Sequence, residues 1–129
     1  MTITQIRLIT VSVSDQDRAR QFYADVLGLT VVQDLTMGPM RWLQVGPEKG
    51  ATGIVLVPGR TGFGPGDLQG VQLETNDLDA DCARLRAAGV KVDGPHDRPW
   101  GRDATFVDPD GNGFVLVTGE VPATRESGG

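Results

Sequence analysis

Few side chains in this 129-residue chain are equipped for chemistry, and they lie far apart. His96 is the only histidine; it stands between Pro95 and Asp97, and nothing beside it in sequence orients its ring. It reads as an exposed loop residue or as a proton carrier without a visible partner. Glu74 is the other acid-base candidate. In the alternating stretch 71–75 it shares a side with Gln72 and Gly70, so either polar side chain could hydrogen-bond a ligand, while Glu74 could equally end in solvent. Arg102 and Asp103 form an exposed strand pair of little energetic weight, or Arg102 meets a ligand carbonyl or anion. Cys82 falls on the apolar stripe of a helix with no basic neighbour, which suits buried packing better than nucleophilic attack. No Ser or Thr sits in a nucleophile elbow. The Gly-rich segment 58–68 lacks the Lys-Ser/Thr and the following helix of a phosphate cradle.

The rings offer a different chemistry. Trp42 and Trp100 can stack on a planar ligand, and Trp100 stands in a Gly/Pro-rich segment just before a strand. Both could instead fill core or interface, and the facing of Trp42 is open. Phe63 lies in the 58–68 loop, where a lid or dimer contact suits it better than burial. Met37 and Met40 flank a turn, either as adaptable packing or as a pliable ligand wall.

Composition narrows the classes of partner. Seventeen Asp and Glu against twelve Lys and Arg give a net charge of −5, with no basic run, which argues against nucleic acid and against an anionic membrane surface. No stretch approaches the length of a membrane span and no leader opens the chain, so a soluble, cytoplasmic protein is expected. The single cysteine excludes an internal disulfide and fits a reducing compartment.

The elements that must position these residues come in two similar sets. Gly53-Ile54-Val55-Leu56-Val57 returns as Gly113-Phe114-Val115-Leu116-Val117, 60 residues later. Residues 6–13 alternate as a strand with Leu8, Thr10 and Ser12 on one side; Ser14-Asp15 caps a helix carrying Ala19, Phe22, Tyr23, Val26 and Leu27, which Gly28 ends. Strands are predicted near 30–37, 40–46 and 52–58. The second set repeats the plan: a strand at 71–75, a helix capped by Asn76-Asp77 with Leu78, Cys82 and Leu85 inward, and a stop at Gly89. A short strand near 90–93, an irregular stretch 94–101, and strands 102–107 and 113–118 around the Asp108–Asn112 turn complete it. One domain over 1–119 is expected, built of repeats 4–58 and 69–119 joined by the 58–68 loop, with a disordered tail at 120–129.

Val13-Ser14-Asp15 leading to Phe22-Tyr23 and Leu27-Gly28, with Asp77, Ala87-Ala88-Gly89 and Phe106-Val107-Asp108-Pro109-Asp110-Gly111-Asn112, resembles the vicinal oxygen chelate superfamily across roughly 4–119. That superfamily includes glyoxalases, extradiol dioxygenases, fosfomycin-modifying enzymes and bleomycin-binding resistance proteins. The resemblance implies an α+β fold of two βαβββ modules forming a cup-shaped mixed sheet, helices outside, in a paired or swapped dimer. It also implies four metal-ligand positions. A His normally stands seven residues before each capping Asp, and those places hold Leu8 and Gly70. A carboxylate normally stands in the last strand of each module, and Val55 and Val115 occupy those places. None of the four can coordinate a cation, so neither metal nor cofactor is expected. A non-standard metal site drawn from Glu74, His96 or Asp103 is the alternative.

Two readings follow. In the first, an apolar cup sequesters an apolar or aromatic compound without chemistry, as bleomycin-binding relatives sequester their drug. Its contacts would come from Leu8, Thr10, Met40, Trp42, Val55, Phe63, Gln72, Glu74, His96, Trp100, Arg102 and Val115. In the second, the protein is an enzyme with a non-standard or metal-free site, Glu74 or His96 moving a proton. The emptied ligand set favours the first, with no catalytic residue assigned.

Overall fold

Alternation of apolar and polar residues makes two sheets, each with one face for a helix. The computed structural model describes residues 2–49, 52–58 and 64–118; residues 59–63 of the 58–68 segment, Phe63 among them, and the 120–129 tail lie outside them. The chain divides into two units, Met1–Leu68 with Asp108–Asn112, and Gln69–Val107 with Gly113–Gly129.

In the first unit, β1 (Leu8–Val13) leads into α1 (Gln16–Arg20), which widens into a π-helical turn over Gln21–Val26, then β2 (Thr30–Met37), β3 (Met40–Gly46) and β4 (Gly53–Pro58). The strands lie in the order β1-β4-β3-β2, with β1 and β4 parallel and the rest antiparallel. The Asp15 carboxylate caps α1 by accepting from the amides of Asp17 and Arg18. Gly28, at φ 89°, ends the helical stretch. Ala19, Phe22, Tyr23 and Leu27 bury against Val11, Val13, Leu43, Val45, Ile54 and Leu56, the helix face of the sheet.

The second unit repeats this order: β5 (Val71–Thr75), α2 (Leu78–Ala87), β6 (Asp93–Arg98), β7 (Gly101–Val107) and β8 (Gly113–Thr118), with sheet order β5-β8-β7-β6. Asp77 caps α2 through the amide of Ala80. Leu78, Cys82 and Leu85 pack on Ala104, Phe106, Phe114 and Leu116, and the Phe106 and Phe114 rings stack at 5.6 Å. The architecture is therefore α+β, two βαβββ modules with two mixed four-stranded sheets, as the sequence predicts. Among the described residues no helix is long and apolar enough to cross a membrane.

One stretch differs from expectation. The segment read as irregular, Gly94-Pro95-His96-Asp97-Arg98, belongs to β6, while 90–92 is not strand. Gly and Pro are depleted in strands, but β6 is an edge strand with a register shift between Asp93 and His96, where Pro is tolerated. His96 is consequently a strand residue rather than a loop residue.

Candidate functional site

Each sheet has a face turned away from its helix, and the ladder registers give the neighbours on it. In the first unit Thr10 pairs with Val55, Val55 with Gln44 and Gln44 with Gln33. The adjoining positions are Ser12 with Val57, and Trp42 with Leu35; Met40 pairs with Met37 at the hairpin end. Cross-strand partners project to the same side. Trp42 alternates with the fully buried Leu43, so its ring lies on the face away from the helix, which settles the facing left open by sequence. The Trp42 indole N–H donates to Gln44 Oε1 at 3.1 Å. Trp42, Met40, Val57 and Gln16 line a cleft of about 250 Å³. Leu35, Met37 and Met40 are 44–52% exposed, so this half of the face is apolar and uncovered at its β2–β3 end.

The second unit carries the same lattice with other chemistry. One row runs Glu74, Val117, Asp103, His96; the next runs Gln72, Val115, Thr105, Asp93. His96 Nε2 lies 2.9 Å from Asp93 Oδ1, so the ring does have an orienting partner, one that the register shift in β6 brings to the same face. Asp103 pairs with Arg98 at 3.2 Å. Gly70, Val115, Thr105 and Val107 line a cavity of about 380 Å³ with Lys91 and Asp93 also on its wall. Trp100 is in the β6–β7 turn and 56% exposed.

Arg102 is placed against expectation. It is on the helix face, its guanidinium bound to Asp79 of α2 at 3.1 Å and to Asp97 at 3.0 Å, and Asp103 is not its partner. Arg41 in the first unit does the same, bound to Asp17 of the helix at 2.7 Å and to Asp34 of the neighbouring strand at 2.8 Å. Both arginines clamp helix to sheet. Hydrogen bonding from Arg41 holds the Asp34 carboxyl below its ordinary value, and Arg102 does so for Asp79. Burial pushes the Cys82 thiol up, consistent with packing and against nucleophilic use.

Sequence reasoning missed two features. Gln44 is one; its place two residues after Trp42 in a strand was the available signal. The other is a buried polar knot in the first unit. Tyr23 Oη donates to Asp108 Oδ2 at 2.6 Å, Asn112 Nδ2 donates to the same oxygen and to the Ser12 carbonyl, and Asp108 Oδ1 accepts the amides of Asp110 and Asn112. Burial, with the Asp108 carboxylate next, drives the Tyr23 phenol far above its usual range. A phenol so held donates a hydrogen bond and keeps its proton; the knot is structural.

The metal positions implied by the resemblance do not fit a cation. Leu8, Val55 and Val115 have no donor atom, and Gly70 sits at φ 83°, a conformation that a His side chain would strain. Among the described residues no three His, Cys, Asp or Glu side chains gather in a way that could hold a metal ion.

Comparison with known proteins agrees with the fold. The family model of the Glyoxalase/Bleomycin resistance protein/Dioxygenase superfamily matches residues 5–116. The chain is similar to the crystal structure of TnmS3, an antibiotic binding protein from Streptomyces sp. CB03234, at 46% identity and TM-score 0.86, covering 95% of this chain and 99% of that one. A glyoxalase/bleomycin resistance protein from the same organism is 47% identical with TM-score 0.81, over 88% of this chain and 99% of the other. The uncharacterized protein YetH of Bacillus subtilis (strain 168) is 32% identical over 88% of this chain and 98% of its own.

Proposed function

Since the chain belongs to the Glyoxalase/Bleomycin resistance protein/Dioxygenase superfamily, we propose that it captures a planar, apolar aromatic compound without a metal and without altering it, as an antibiotic-resistance binding protein. The observation that carries this reading is the Trp42 face: an oriented indole beside apolar side chains, on a scaffold whose metal-ligand positions hold no donor. Likeness to TnmS3, an antibiotic binding protein, supports the same reading. On the first unit the proposed contacts are Leu8, Thr10, Met40, Trp42 and Val55; on the second unit, taken by itself, they are Gln72, Glu74, His96, Trp100 and Val115. Capture at nanomolar affinity requires about 12 kcal/mol, which burial of a polycyclic ring system between aromatic and aliphatic walls can provide. The reading extends to a homodimer, which the apolar side chains exposed on the edge strand β2 support, and to a cytoplasmic location.

A second reading, metal-free isomerisation with His96 as proton carrier, draws on the His96–Asp93 contact. Titrating tryptophan emission with planar antibiotics and then recovering the compound separates the two. Saturable quenching with the compound returned unchanged is expected from capture; steady conversion under the same conditions would establish the enzyme.

A further inference from the structure

The orientation of one amide carries information about the ligand. An indole N–H is only a donor, so the Gln44 oxygen must be the atom that faces Trp42, and the Gln44 nitrogen must point away from it. That nitrogen lies over Gly53: a Cβ built at Gly53 would stand 3.3 Å from Gln44 Nε2 and 3.2 Å from Leu8 Cδ2. Among the described residues no oxygen accepts from Nε2, although Gln44 is half-buried. Two N–H donors are therefore fixed beside the Trp42 ring with no protein acceptor. A donor with no protein acceptor is open to an acceptor on a ligand, and a ligand that supplies one gains what a hydrocarbon cannot.

We propose that Gln44 selects the ligand's chemistry: the compound stacked on Trp42 carries a carbonyl oxygen at its ring edge, which accepts from Gln44 Nε2. Gln44 then has two roles, holding the indole through its oxygen and reading the carbonyl through its nitrogen. This rests on capture of a planar aromatic compound by the Trp42 face, and it adds the functional group by which that compound is chosen.

Two probes of equal shape and charge isolate the carbonyl: fluorene-2-carboxylate and 9-fluorenone-2-carboxylate, titrated calorimetrically into the intact protein. The wild type should prefer the fluorenone by about three- to tenfold, the range of one uncharged hydrogen bond. Gln44→Glu keeps an acceptor for Trp42 but has no N–H; it should abolish the preference while the Trp42 indole resonance in ¹⁵N-labelled protein stays in place. Gln44→Leu should abolish the preference and move that resonance. Equal affinity of the wild type for both probes overturns the inference while leaving aromatic capture standing, as does a preference that survives in Gln44→Glu. Binding of neither probe overturns aromatic capture itself, and this inference with it.

Discussion

The two sheets share one lattice and differ in what they place on it. Beneath the helices they correspond closely: Asp15 and Asp77 cap, Tyr23 and Leu85 bury at the same helical distance from those caps, and Arg41 and Arg102 clamp helix to sheet. On the opposite faces the correspondence ends. Where the first unit has Ser12, Val57, Trp42 and Leu35, the second has Glu74, Val117, Asp103 and His96. Side chains that build the module are the same in kind; those away from the helix are not. The contrast teaches that the helix-packed face is held constant between the units while the opposite face varies, aromatic and apolar in the first unit and charged in the second.

That division can be broken in order of effect. The deepest cut should come from the helix face: Leu85→Ala, at a fully buried position, should cost about 2–5 kcal/mol in urea unfolding. Its affinity for a planar ligand should not change under conditions where the protein stays folded. Trp42→Ala should do the reverse, weakening calorimetric affinity at least about 30-fold, roughly 2 kcal/mol, with little change in the unfolding midpoint. Asp103→Asn, at the equivalent lattice position, should shift affinity by less than about threefold.

Tyr23→Phe removes a donor from Asp108, whose oxygens keep the Asn112 side chain and two backbone amides. A loss on the order of 1–2 kcal/mol of stability with unchanged affinity is expected. The arginine clamps predict an acid effect. Asp34 titrates below its ordinary 3.8 when folded, so its pairing contributes fully above that value and is lost as pH falls through the lower folded one. Arg41→Met should therefore flatten the fall in stability below about pH 4, by well under about 1 kcal/mol since the pair is near the surface. Smallest of all, Cys82 should resist a thiol reagent in the native protein and react once urea unfolds it.

Much of this plan was legible in the sequence because it is written in local terms. Caps, helix stops and period-two strands are set by neighbours in the chain, and the repeated Gly53 and Gly113 phrases mark the paired last strands. What escaped was settled by tertiary context. Strand β6 hid behind Gly94 and Pro95, which only an edge position tolerates. The partner of Arg102 is on a helix 23 residues earlier, and that of Tyr23 is in a turn 85 residues later; no local pattern announces either. Trp42 could not be faced until Leu43 beside it was known to be the buried neighbour, and Gln44 gained meaning only with its bond to the indole.

The central claim is capture by shape and stacking with no ion in between. Titration of one planar antibiotic into chelator-stripped protein, and into the same protein supplied with zinc, nickel, manganese or iron, tests it most directly. The account predicts one dissociation constant in every sample, with the stripped protein fully competent. Binding that vanishes on stripping and returns with a particular metal would contradict it.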